Sequence, residues 1–229
     1  WDVVGKGQDR ALVDVLGRSR DRIAAYGSGV NLNLPVEALL EQVDGWLSAG
    51  YAAVKIKVGK ADLAEDVERV AAVRELLGPT RRLMIDANQG WDVPAATKAI
   101  KALARFDLHW VEEPIISDDI RGHQSLVDAT AAPIAIGENV YSIYQFSQYL
   151  QLGAVSYVQA DVVRVGGITP WLEIASLASS YGIPMAPHFM LEISGQLLCC
   201  VPNAHILEDV VRGSFRELGI LASDMGTAG

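Results

Sequence analysis

Residues 52–58 read Ala52-Ala53-Val54-Lys55-Ile56-Lys57-Val58, and three later runs follow the same plan: Met84-Ile85-Asp86-Ala87-Asn88, Trp110-Val111-Glu112-Glu113-Pro114 and Ile136-Gly137-Glu138-Asn139. Each is a short β-prone run carrying charge inside it or at its end. Between the first two lies a helical pattern: Leu63, Val67, Val70, Val73 and Leu77 share one face, Asp62 can cap the start, and Gly78-Pro79 stops it. Strand, helix and strand in that order predict parallel pairing. Working outward, β-rich runs recur at 23–27, 52–58, 82–87, 108–112, 133–138, 155–160, 183–187 and 204–208. Eight strands alternating with helices predict an α/β fold, a (βα)8-type TIM barrel, although a doubly wound open sheet has the same local pattern. Residues 23–208 read as one catalytic barrel domain. Residues 1–22 precede it, and 209–229, ending in Ser223-Asp224-Met225-Gly226-Thr227-Ala228-Gly229, read as a C-terminal tail.

The composition narrows the function classes. Of 229 residues, 50% are apolar and 21% charged, which excludes a disordered chain. Nineteen basic against 28 acidic residues give −9, spread without a basic block, so nucleic acid is not an expected partner. No apolar run approaches the ~20 residues of a bilayer crossing and no signal peptide precedes the first polar stretch, so the expectation is a cytoplasmic protein with no membrane partner. Cys199 and Cys200 are adjacent and cannot staple a loop; they are expected to pack in the core. Trp1 opens the chain in what reads as mid-helix, so a piece of a longer protein is expected.

Charges in strands that are covered on both faces need an explanation. Lys55 and Lys57 share a face and aim two ammonium groups into one space; an edge strand with a solvated face is the bland alternative. Asp86, Glu112 and Glu138 are each 26 residues apart, one βα unit, and so end neighbouring strands at the same level. Singly they read as a turn residue, a solvated strand end and a helix-start carboxylate. In register they call for a cation between them, and an all-oxygen set suits Mg²⁺. Strand parity at this stage leaves Glu112 and Glu113 as alternatives. The later strands end in Gln159-Ala160-Asp161, Ala186-Pro187-His188 and Ile206-Leu207-Glu208. Asp161 and His188 make a plausible dyad, the carboxylate orienting the imidazole. His109, His123 and His205 lack such a context and read as structural. Gly166-Gly167 reads as a tight turn rather than a phosphate cradle.

These residues, with Asp86-Ala87-Asn88-Gln89, Gly166-Gly167 and Ala204-His205-Ile206-Leu207-Glu208, make the chain resemble the enolase superfamily, specifically its mandelate racemase subgroup, over nearly all of 20–210. The resemblance implies Asp86, Glu112 and Glu138 as Mg²⁺ ligands, with Glu113 just outside the set. It implies Lys57 as the base on one face of a small carboxylate substrate, assisted by Lys55, and the His188–Asp161 dyad on the other. It further implies that Asn88 contacts a substrate hydroxyl and that Glu208 hydrogen-bonds the substrate carboxylate. Members carry an N-terminal α+β capping domain, of which only the last helix, around Trp1-Asp2-Val3-Val4-Gly5-Lys6, is expected in residues 1–22; a homo-oligomer is expected of the full-length protein. The chemistry is consistent: a proton α to a carboxylate is removable only if the developing enolate is stabilised, and the charge of Lys55 eases loss of the proton from Lys57. The leading expectation is a Mg²⁺-dependent lyase that dehydrates an acid sugar. A racemase or epimerase of a 2-hydroxy acid needs the same pair of bases, and a non-catalytic barrel fragment is the third reading.

Overall fold

A computed structural model describes residues 1–219; the stretch from Ser223 to Gly229 lies outside the described residues. Two short helices, α1 (Asp2–Gln8) and α2 (Leu12–Leu16), precede β1 (Ala25–Ser28). Then strands and helices alternate: α3 (Val36–Ser48), β2 (Ala53–Lys57), α4 (Leu63–Leu77), β3 (Arg82–Asp86), α5 (Val93–Leu103), β4 (Leu108–Glu112), α6 (Ile120–Thr130), β5 (Ile134–Ile136), α7 (Ile143–Gln151), β6 (Tyr157–Val158), α8 (Ile168–Ser180), α9 (Leu191–Leu198) and β7 (Leu207–Val210). The α4 reading holds at both ends: Asp62 accepts the Ala64 N–H and Gly78 follows the last turn.

All strand pairs are parallel, in the order β6-β5-β4-β3-β2-β1-β7. The expected eight strands are therefore seven among the described residues, and the correction falls on 183–187. There Met185 alone bridges Val158 on one side and Ala204 on the other, which closes the ring. Pro184 and Pro187 bracket it, and proline has no N–H to give a ladder. Met185 still exchanges bonds with Asn203 O and the His205 N–H. The last strand runs two residues past 208 and pairs with β1 along Ala25–Ser28.

The strand period of two sorts the side chains. Tyr26, Ala53, Met84, Trp110, Ala135, Ala186 and Ile206, with Tyr157, form one cluster drawn from all eight positions of the ring, and it fills the barrel interior. Two residues further along, on the same face, stand Ser28, Lys55, Asp86, Glu112, Gln159, His188 and Glu208, with Gly137 at the corresponding place after β5. Other apolar residues make the layers between strands and helices, such as Val54, Ile56, Leu83 and Ile85 against α3, α4 and α5. The interior is thus apolar at one end and polar at the carboxyl ends of the strands.

Two further expectations are corrected. β2 lies between β1 and β3 and Lys55 is 1% exposed, so the solvated-edge alternative fails. Cys199 and Cys200 are only half-buried at the end of α9, where the Cys200 thiol donates to Val13 O and Gln196 O. Among the described residues no helix is long and apolar enough to cross a membrane. The segment before β1 is fastened to the barrel: Arg20 donates to Leu198 O and Val201 O, both at 2.8 Å, and the Trp1 indole donates to Thr169 Oγ1.

Candidate active site

Asp86 ends β3, Glu112 ends β4 and Glu138 follows β5; a carboxylate oxygen of each lies within 4.8 Å of one from the others. Glu112 shares its face with Trp110, which decides the choice left open by the sequence. Glu113 turns away with φ 37° and accepts from the Asn139 N–H (3.0 Å) and side-chain amide (2.7 Å). Gly137 sets the approach of Glu138: φ is 152°, and a Cβ there would stand 2.5 Å from the Gln159 carbonyl carbon, so only glycine fits between the strands.

The two lysines face this cluster as expected. Lys55 Nζ lies 2.5 Å from Glu112 Oε1, 2.7 Å from Glu208 Oε1 and 3.7 Å from Asp86 Oδ2, and its side chain also lies against the Tyr26 ring. Lys57 Nζ donates to Asp86 Oδ2 at 2.5 Å, and its backbone N–H is held by the buried Asn31 Oδ1. Glu112 Oε2 accepts from the Trp110 indole and from Gln159 Nε2 (2.7 Å). On the far side His188 Nδ1 meets Asp161 Oδ2 at 2.8 Å, while Asp161 Oδ1 accepts from the Val163 and Arg164 N–H groups. Lys57, Asn88, Glu138, Asp161, His188 and Glu208 line one cavity of about 620 Å³. Asn88 reaches it from a left-handed turn whose N–H is bonded to Asp86 Oδ1.

Burial opposes charge at Glu112, Asp86, Glu208, Lys55 and Asp161, and the neighbours decide the outcome. Burial, then the Asp86 charge, push the Glu112 carboxyl well above the usual carboxylate range. At Asp86 burial is outweighed by Lys55 and Lys57, which hold it below that range. Glu208 is likewise carried down, to about 2, because Lys55 and then His188 outweigh its burial. Burial favours the neutral amine at Lys55, but Glu112 and Glu208 reverse this and keep the ammonium. Asp161 falls below its ordinary value despite burial, through its bonds to His188 and the Arg164 N–H.

The donor set fits a hard divalent cation. Among the described residues, Asp86, Glu112, Glu138, Asp161 and Glu208 face three basic side chains, Lys55, Lys57 and Arg164, and with all three charged two negative charges are left to balance. Three carboxylates with no sulfur or imidazole among them suit Mg²⁺.

Sequence reasoning missed Asn31, Gln159, Asn139 and Arg164. Gln159 had a signal, since it is a polar residue in a β-prone run with the parity of Asp161. The others sit in loops, where no period marks them. Of the histidines read as structural, His109 and His205 hydrogen-bond each other through Nε2 at 2.9 Å next to the apolar interior cluster, and His123 is buried in α6 with Nδ1 on Asp119 O.

A family described as enolase C-terminal domain-like matches residues 38–224. The 3,6-anhydro-alpha-L-galactonate cycloisomerase of Streptomyces coelicolor is 38% identical over 208 residues, 91% of this chain and 58% of that protein. The L-talarate/galactarate dehydratase of Salmonella typhimurium is 39% identical over 209 residues, 91% of this chain and 52% of that one. The crystal structure of L-talarate dehydratase from Polaromonas sp. JS666, complexed with Mg and L-glucarate, superposes with a TM-score of 0.86 at 38% identity, over 91% of this chain and 56% of that one. The chain therefore spans little more than half the length of the relatives it matches.

Proposed function

Because this chain belongs to the enolase C-terminal domain-like family, we propose that it is the catalytic barrel of a Mg²⁺-dependent enzyme that removes the proton α to a carboxylate and dehydrates an acid sugar. One observation carries the proposal: Lys57 and the His188–Asp161 dyad line the same cavity, beside three converging carboxylates. Asp86, Glu112 and Glu138 would hold the ion, and bound there it supplies positive charge where charge develops on the substrate carboxylate.

Lys57, as the free amine, takes the α-proton. Lys55 stays charged between Glu112 and Glu208 and fixes both carboxylates. Asp161 accepts the Nδ1–H of His188, which leaves Nε2 toward the cavity to give its proton to the departing β-hydroxyl. The balance is one acid-sugar anion to one keto-deoxy acid anion and water. Asn88 contacts a substrate hydroxyl from its turn. Glu208 as it stands accepts from the Phe189 N–H and from Lys55; to donate to a substrate carboxylate it must first take up a proton, which the approach of a second anion favours. The likeness to the talarate/galactarate dehydratase supports dehydration over racemisation, and the complete set of polar strand ends speaks against a non-catalytic fragment. The resemblance also carries a homo-oligomeric state for the intact protein, which sedimentation tests.

The test uses D₂O. In the intact protein with Mg²⁺ and acid sugars such as galactarate, His188→Asn should lose dehydration yet keep α-deuterium incorporation with one substrate epimer. Lys57→Met should show the opposite facial preference, and Asp161→Asn a milder form of the His188 defect. Loss of exchange with both epimers in His188→Asn, in protein still binding Mg²⁺, would refute the two-face mechanism.

A further inference from the structure

Arg164 has no part in the reaction described above, yet at the cavity wall it contacts Glu138, Asn139 and Asp161 together. It lies three residues beyond Asp161, with its side chain 35% exposed. Nη2 is 3.1 Å from Glu138 Oε1; Nη1 donates to Glu138 O at 3.1 Å and to Asn139 Oδ1 at 2.6 Å; Nε stands 3.9 Å from Asp161 Oδ2. Asn139 in turn grips Glu113. The guanidinium therefore spans the loop after β5 and the loop after β6.

The second oxygen of Glu138 gives this arrangement its meaning. Oε2 lies 3.6 Å from His188 Nε2, the nitrogen that must face the substrate. Glu138 thus stands between two partners, the cation beside Asp86 and Glu112 and the imidazole of His188. A small rotation toward the ring makes an ion pair and draws an oxygen out of the carboxylate cluster. The bond from Nη2 to Oε1 and the bond from Nη1 to the carbonyl of the same residue clamp side chain and backbone together and oppose that rotation.

We propose that Arg164 is a positioning residue that assigns Glu138 to the cation and keeps it off His188. The inference rests on the metal and dyad reading of the site, and it makes a prediction whose sign is unusual. Electrostatics alone says that deleting a cation beside a metal ligand tightens metal binding. Loss of positioning says the reverse, and only while an imidazole is present to capture Glu138.

The experiment is Mg²⁺ titration calorimetry on the intact protein without substrate, in four forms: unaltered, Arg164→Gln, His188→Asn and the double variant. Arg164→Gln should weaken Mg²⁺ binding about tenfold, the lower end of the usual effect of a residue that orients a metal ligand. In the His188→Asn background the same change should cost less than about twofold or tighten binding. Arg164→Lys keeps the charge but has one nitrogen and cannot hold Oε1 and the carbonyl together, so it should weaken Mg²⁺ binding in the same His188-dependent way; it decides the matter if the Gln variant loses its fold. An equal loss in both backgrounds, tighter binding in the single variant, or unaltered affinity in Arg164→Lys would overturn the assignment. A wrong reaction would leave every one of these readings intact, whereas absence of Mg²⁺ binding by the unaltered protein would overturn the site and the assignment together.

Discussion

Replacing Lys55 with Met separates what the buried ammonium does for folding from what it does to a cation. Its Nζ lies 2.5 Å from Glu112 and 2.7 Å from Glu208, with Asp86 at 3.7 Å, and all four side chains are 2% exposed or less. Methionine fills nearly the same volume, so the packing cost is small and the loss is the charge. Removing one partner of a buried ion pair costs about 3–5 kcal/mol because the remaining charge stays uncompensated. Here two carboxylates lose their nearest cation, and Lys57 continues to serve Asp86 alone. For a domain of this size the loss amounts to a melting temperature lower by roughly 10 °C in metal-free buffer near pH 7. Lys55 also competes with any cation for the oxygens of Glu112, so the variant should bind Mg²⁺ about tenfold more tightly, or about 1.4 kcal/mol. Saturating Mg²⁺ should therefore raise the melting temperature of Lys55→Met by more than that of the unaltered protein and narrow the gap between them. Differential scanning calorimetry with EDTA and with Mg²⁺ reads both effects. Equal melting temperatures without metal, or a smaller Mg²⁺ response in the variant, would refute the account of Lys55 as the charge that stands in for the ion.

Gly137→Ala should destabilise the protein by more than about 2 kcal/mol and weaken Mg²⁺ binding, since the added methyl meets backbone of Gln159 and Ala160 and must push Glu138 out of register; denaturant melts and calorimetry read the two losses. His109 gives a pH dependence. Burial, then His205, lower its pKa to about 4, against ~6.5 in an unfolded chain, so below pH ~6.5 the unfolded state binds the proton first and stability falls as pH falls toward 4. Allowing for its partial exposure, the protein should lose about 1 kcal/mol more between pH 7 and pH 5 than a His109→Gln variant does. Parallel stability-versus-pH curves for the two would count against this assignment.

The legible part of this molecule was the part written in strand period. Three carboxylates at equal spacing, two lysines of one parity and a histidine two residues beyond Ala186 are local facts about strands; in the structure Lys57, Glu138 and His188 line one cavity, Asp86 and Glu112 converge on Glu138, and Lys55 pairs with Glu112. The choice between Glu112 and Glu113 was not legible, because a strand end can be read in either parity until Trp110 is known to point inward. The strand expected over 183–187 was over-read for a related reason: Ile183-Pro184-Met185-Ala186-Pro187 has β-type composition, but its prolines remove the donors that a longer ladder would need, and one bridge at Met185 remains. Arg164, Asn31 and Asn139 work through contacts between loops distant in sequence, and no pattern within one segment encodes such contacts.

The single-residue bridge at Met185 divides the ring into parts of different compliance. Asp86 and Glu112 end strands of five residues and pair with each other across β3 and β4, whose ladder carries one register shift between Leu83 and Met84. Asp161 follows a strand of two residues, and His188 hangs three residues beyond a lone bridge. Two of the three clustered carboxylates thus sit on five-residue strands, and the His188–Asp161 dyad sits where the strands are shortest. Re-aiming His188 requires moving few backbone hydrogen bonds and none of those that seat Asp86 or Glu112. A scaffold divided in this way can re-aim its imidazole while Asp86 and Glu112 stay where they are.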